Sequence, residues 1–269
     1  MVGIRKEIST VLFVFISLST NIRCSSQREP TPEQQTVLDS AKANLVFVEG
    51  GSFMMGKEGY PKANPVHKVT LDSYSMSKYE TTFKEYDVYT QINNLDSIAP
   101  RWRNLDGMGL NYGVNVVTWQ QARNYCQWLG EQLNLPIDLP TEAQWEYAAR
   151  SRGLDVEHAT NSGKIEGSYT EKRNYPVTDT IVGAYPPNPL GLYDMSGGRP
   201  EWVLDWYISY TSTDKVNPVQ DTILYSKQKV TRGWHTLVSS VYKRGIEPPE
   251  KNSAGVGFRC VCNQKTPVE

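Results

Sequence analysis

The sequence predicts a single mixed domain of helices and short strands, with much of the chain in irregular structure. Three observations carry this expectation. Three segments open with a Thr followed three residues later by Glu or Gln, the start signal of a capped helix. Strand candidates are short and scattered. Long stretches rich in Pro, Gly and Asn separate these elements. Composition agrees, because 39% of the 269 residues are hydrophobic and 21% charged, which is enough to build a core. The aromatic side chains are 16 Tyr and 7 Trp against 6 Phe, so many core rings need a polar partner.

Residues 1–23 read as an export signal. Arg5 and Lys6 precede an apolar run over residues 8–18. That run is shorter than the roughly 20 apolar residues of a spanning helix and lies where a signal peptide belongs. Cys24 follows closely, and a cysteine in that place points to a bacterial lipoprotein with Cys24 as the lipidated residue. Asn21-Ile22-Arg23 lacks the small residue usual before such a cysteine, so ordinary cleavage near Ser19 competes. Residues 24–43 are polar, carry Pro30 and Pro32, and read as a tether with a short helix. The folded domain is placed at residues 44–262 and a polar tail at 263–269.

Within the domain, strands are expected at residues 45–49, 68–71 and 257–262. The helix starts are Thr82 with Glu85, Thr118 with Gln121, and Thr141 with Gln144. In the second, Trp119, Ala122, Tyr125, Cys126 and Leu129 recur at helical spacing, and Gly130 sits where a left-handed C-cap would fall. In the third, Trp145, Ala148 and Ala149 share a face behind Pro140, with Arg150 closing the last turn. The long loops are residues 101–113 and 153–185. Loops of that length are functional or pinned.

The order of short motifs carries a family likeness. Phe47-Val48-Glu49-Gly50-Gly51-Ser52-Phe53-Met54-Met55-Gly56 comes first, then Val117-Thr118-Trp119 and Tyr125-Cys126-Gln127-Trp128-Leu129. Leu139-Pro140-Thr141-Glu142-Ala143-Gln144-Trp145-Glu146-Tyr147-Ala148-Ala149-Arg150 follows. Asn188-Pro189-Leu190-Gly191-Leu192-Tyr193-Asp194-Met195, Glu201-Trp202 and Gly257-Phe258-Arg259-Cys260 complete the series. This series resembles the formylglycine-generating enzyme family, also called sulfatase-modifying factors, across the mature domain. The resemblance implies an α+β domain of the C-type-lectin-like kind. Its oxidases use copper and oxygen to convert a sulfatase cysteine into formylglycine. It also implies a structural disulfide between Cys126 and Cys260, worth roughly 3–5 kcal/mol by chain entropy; Cys262 could compete for either partner. Trp119, Trp145, Tyr147 and Trp202 are expected in the core, and Arg150 and Arg259 as buried pins of loops.

Where that chemistry should lie, the sequence departs. Family oxidases carry two closely spaced copper-binding cysteines after a Gly-Gly-Ser segment. The corresponding stretch, Thr231 to Arg244, holds no cysteine and offers Ser239 and Ser240 instead. A neutral hydroxyl is a poor ligand for a soft monovalent metal, so copper is not expected and no residue is assigned a catalytic role. The family's calcium segment reads Gly-Asn-x-x-Glu-Trp, and here it is Gly197-Gly198-Arg199-Pro200-Glu201-Trp202. Glu201 is kept as a calcium ligand, a weak one, because Gly198 supplies no oxygen and Arg199 brings a positive charge.

Other functions are set aside on the same grounds. Twenty-eight Lys and Arg against 29 Asp and Glu leave no basic excess for nucleic acid. His67, His158 and His235 show no helical metal spacing. The expectation is an exported, lipid-anchored, non-catalytic interaction protein with a protein partner in the cell envelope, of the immunity or assembly kind. Its contact with membrane is the N-terminal anchor alone, and its recognition loops are residues 101–113 and 207–229. The alternative is a formylglycine-generating oxidase.

Overall fold

The computed structural model describes residues 29–98, 109–167, 181–197, 199–233, 239–252 and 255–269. Helix α1 spans Pro32–Ala43. Strands β1 (Leu45–Val48), β2 (Gly51–Met55), β3 (His67–Leu71) and β4 (Tyr74–Ser77) follow. Next come α2 (Phe83–Ile92), α3 (Trp119–Leu133), β5 (Ile137–Asp138) and α4 (Glu142–Ala149). The last strands are β6 (Glu201–Trp206), β7 (Lys215–Val216), β8 (Lys229–Arg232), β9 (Gly245–Glu247) and β10 (Val261–Cys262). Short strands separated by long irregular stretches make this an α+β domain. Among the described residues no helix is long and apolar enough to cross a membrane.

All three expected capping boxes form, at Thr82, Thr118 and Thr141, and a fourth forms at Thr31 with Gln34. The fourth corrects the tether. From Pro32 onward the chain is not a spacer, because Val37, Leu38 and Ala41 line one face of α1 and are buried against α2 and α3. Pro32 at the first helical position supplies a preset φ and lacks only an N–H the helix would not use. Gly130 is a second correction. Helix α3 runs past it to Leu133, and Asn134 takes the left-handed position. A Cβ on Gly130 would sit 2.7 Å from the Leu135 carbonyl oxygen, so this glycine admits the returning chain rather than ending the helix.

The strands form three small sheets, ordered β1-β4-β10-β5, β2-β3-β7 and β6-β8-β9. Of the expected strand at residues 257–262, Val261 and Cys262 pair as a strand, wedged between β4 and β5. One apolar cluster gathers α1, α2 and α3 with Trp202 and Phe258, and a second gathers α4 with β2, β3 and β8. Trp119, Trp145, Tyr147 and Trp202 are buried in these clusters. A disulfide joins Cys126 of α3 to Cys260, 134 residues on, and ties the helical layer to β10. Cys262 is the free cysteine among the described residues, buried within the sheet. Cys24 lies outside the described residues.

Candidate functional site

A cavity of about 510 Å³ opens where the segment around Ser240 meets the loop between β2 and β3. Its walls include Tyr60, Lys62, Glu157, His158, Ser240 and Tyr242. The rings of Tyr60 and Tyr242 lie 5.9 Å apart, and the Tyr60 hydroxyl donates to Glu157. Burial and that hydrogen bond push the Tyr60 pKa up. His158 Nδ1 is 3.2 Å from the Ser239 carbonyl oxygen, which requires the proton on Nδ1. Ser239 is buried and its hydroxyl turns to the Ser240 carbonyl at 3.4 Å; the Ser240 oxygen accepts from the Tyr242 amide at 3.3 Å. The donor set is a hydroxyl, two phenols, a carboxylate and the His158 imidazole, and it lacks the soft thiolate pair that selects monovalent copper. Among the described residues no cysteine brings a thiol to this cavity, since Cys126 and Cys260 are bridged and Cys262 is held between β4 and β5. Trp234 and His235 lie outside the described residues.

A buried ion network holds the cavity walls. Glu142 and Glu146 stand one turn apart on α4. Glu142 accepts from Arg232 Nη1 at 2.8 Å and from Arg244 Nε and Nη2 at 2.6 and 2.8 Å. Glu146 accepts from Arg232 Nη2, Arg150 Nη1 and the Gly56 amide, at 2.8, 2.9 and 2.9 Å. Spare donors pin backbone. Arg244 Nη1 reaches the Lys62 and Ile208 carbonyls, Arg232 Nη2 reaches Val241, and Arg150 reaches Met54, Gly153 and Leu154. Burial raises the pKa of Glu142, but Arg244 and Arg232 outweigh it and hold the carboxyl below its ordinary range. Sequence reading found Arg150 as a pin and missed Glu142, Glu146, Arg232 and Arg244. The signal was present: residues 142, 146 and 150 share one helical face, and two acids there need countercharge when that face is inward.

Glu201 sits in a second buried network. Arg259 meets it with two parallel hydrogen bonds of 2.7 Å, and Trp145 Nε1 donates to it at 2.9 Å. Both carboxylate oxygens are thereby engaged by the protein. This does not fit a calcium ligand, which must turn an oxygen to the ion. Among the described residues no group of three or more His, Cys, Asp and Glu is placed to hold a metal. Arg259 also donates to the Ser77, Lys78 and Tyr193 carbonyls. Gly198 lies outside the described residues.

Of the two expected recognition loops, residues 101–108 lie outside the described residues. Residues 207–229 form an ordered excursion that returns to β8. Asp205 anchors it by accepting from the Gln220 amide at 2.8 Å, and Asn217 pairs with Asp72 and Thr70. The Tyr225 hydroxyl accepts from the Ser209 amide at 2.9 Å. On this pinned frame Val216, Val219, Ile223, Leu224 and Tyr225 face solvent, with Val216 72%, Leu224 62% and Tyr225 65% exposed. Apolar side chains this exposed and this close in sequence mark an interaction surface.

Residues 28–264 match the family described as the sulfatase-modifying factor enzyme 1-like domain. Serine/threonine-protein kinase pkn1 of Chlamydia pneumoniae is 34% identical over 269 aligned positions, covering 89% of this chain and 40% of that protein. The chain therefore spans about two fifths of that relative's length. Formylglycine-generating enzyme of Mus musculus is 25% identical over 292 positions, covering 83% of this chain and 76% of that one. The solved structure of PvdO from Pseudomonas aeruginosa matches with a TM-score of 0.67 at 24% identity, over 81% of this chain and 93% of that chain. At that identity the likeness is one of fold.

Proposed function

Because the chain belongs to the sulfatase-modifying factor family yet offers serine hydroxyls where copper would need thiolates, we propose that it is an exported, lipid-anchored binding protein of the cell envelope. The observation that carries this reading is an open, ring-lined cavity with Ser240 in its wall and, among the described residues, no thiol pair near it. On this reading the family scaffold serves to bind and not to oxidise. The apolar loop at residues 216–225 supports a protein partner, and Asp221 is its one charged residue. Such a face selects an uncharged apolar surface. Cys24 would carry the lipid, and the partner would be a toxin to be neutralised or a component of an envelope assembly.

Two assays test this. The mature chain is incubated with copper, reductant, oxygen and a peptide bearing a sulfatase-type cysteine, beside an active family oxidase. No formylglycine is expected by mass spectrometry in the test reaction, and its appearance would establish the oxidase alternative instead. In cells, a photo-crosslinking residue at position 224 should trap an envelope protein that the same residue at exposed Leu154 does not. Equal trapping at both positions, or none at 224, removes the recognition surface. Labelling with an alkyne fatty acid should be lost in Cys24→Ala; an unlabelled wild-type chain refutes the anchor.

A further inference from the structure

The acids around Glu201 are neutralised from within. Glu80 and Glu201 are buried at 4% and 0% exposure, and Asp194 lies close enough that its charge acts on Glu80. Asp194 accepts from the Gly183 amide through Oδ2 at 2.7 Å, and its Oδ1 is buried without a hydrogen-bond partner. Three acids drawn together need positive charge or a bound proton, since burying a carboxylate uncompensated is costly. Arg259 serves Glu201.

The second positive charge comes from Arg199, two residues before Glu201 in the segment that the family gives to calcium. Its backbone amide donates to Glu80 Oε1 at 3.0 Å. With the Asn115 amide turned oxygen-inward, that oxygen accepts from Arg199 Nε at 3.3 Å and Nη2 at 3.0 Å. Gly255, at φ +76°, leaves the guanidinium its space, because a Cβ there would collide with Nη1. Gly113 does the same for Glu80, where a Cβ would collide with Oε2. Pro200 confines the Arg199 backbone to extended conformations, which fixes where its side chain leaves the segment. Burial lowers the Arg199 pKa and Glu80 opposes that shift.

We propose that the Arg199 guanidinium is the resident cation of this acid cluster and takes the place of a bound calcium ion, so that the fold is calcium-independent here. Arg199 meets Glu80 through its backbone amide and Asn115 through its guanidinium, and a single charge spread over a fork of donors does this without the six to eight oxygens that calcium requires. Covalent attachment makes the charge permanent and indifferent to chelators.

The test uses the full mature chain. Melting in millimolar calcium and in chelator should give midpoints within about 1 °C of each other, as expected where no ion binds the native state. Terbium added to the wild type should give no emission sensitised by Trp145 or Trp202. Arg199→Met keeps the length and removes the charge, and should lower the midpoint by roughly 5–10 °C. Arg199→Lys should lose less. A calcium-dependent midpoint or terbium emission in the wild type would overturn the proposal, even if Arg199→Met does not fold. Equal losses in the Met and Lys variants would also overturn it, because the side chain would then serve packing and not charge.

Discussion

Glu142→Gln is the sharpest probe of the network that shapes the cavity. The substitution keeps the volume and the N1 position of α4 but removes one of two carboxylates shared among Arg150, Arg232 and Arg244. Arg232 and Arg244 are 0% and 4% exposed, so neither can recover hydration when its partner is lost. Arg244 would keep the Lys62 and Ile208 carbonyls, and Arg232 would keep Glu146 and Val241. Removing one partner of a buried pair costs about 3–5 kcal/mol. For a domain of this size the midpoint falls by about 2–4 °C per kcal/mol, so the expected loss is about 6–20 °C. The sign with pH is also fixed. Glu142 has its pKa lowered below 4.5, so its contribution is present above that value and lost as pH falls through the lower folded one. The acid limb of stability should therefore be shallower in Glu142→Gln. Urea unfolding of Glu142→Gln, Arg244→Met and the double variant gives the coupling directly. A coupling of about 2 kcal/mol or more is expected, with the double variant more stable than the sum of the singles allows. Additive losses, or a cost below about 1 kcal/mol for Glu142→Gln, would mean the carboxylate does not hold these arginines together.

Three other buried features have measurable consequences. Burial and Glu142 raise Asp205 to about 6, and burial and Glu201 raise Glu80 to about 8. Stability from these groups is present below ordinary carboxylate values and is lost as pH rises through those two. The Asp205 part amounts to about 3 kcal/mol. Melts across that range should flatten stepwise in Asp205→Asn and Glu80→Gln, and an unchanged slope in both variants would place the pH dependence elsewhere. Cys126→Ala with Cys260→Ala removes the link over 134 residues and should cost roughly 3–5 kcal/mol. Cys262 should stay unreactive to a thiol reagent until unfolding, since burial raises its pKa, and rapid native labelling would refute its place between β4 and β5.

The parts of the fold that could be read from sequence are those with local causes. The capping boxes at Thr82, Thr118 and Thr141 are satisfied within four residues, so the sequence contains every atom that decides them. Strand β3 was legible because Val69 and Leu71 alternate with exposed Lys68 and half-buried Thr70. Strand β6 was not. Glu201, Trp202 and Val203 are all buried, so no alternation marks it, and Glu201 looks polar until Arg259 arrives from 58 residues away. Gly130 was misread for the same reason, since a glycine near a helix end has two uses and the chain returning at Leu135 decides between them. Arg232 and Arg244 stood in plain sight within the stretch searched for copper ligands. Their partners on α4 lie about 90–100 residues earlier, and only the folded chain joins them.

That distribution bears on function. The acids and arginines of α4, β8 and the segment after Ser240 are engaged with one another and with backbone carbonyls, and Arg244 is itself part of the cavity wall. They fix its walls. A catalytic centre needs at least one reactive group held by such a frame and left unsatisfied by it. The Ser239 and Ser240 hydroxyls make local hydrogen bonds of 3.4 and 3.3 Å, and His158 gives its Nδ1 proton to the Ser239 carbonyl. The same rigidity favours binding, because a preformed cavity and a pinned loop lose little conformational freedom when a partner docks. The arginine-centred frame thus supports the binding half of the proposal: it holds the cavity walls in place before a partner arrives.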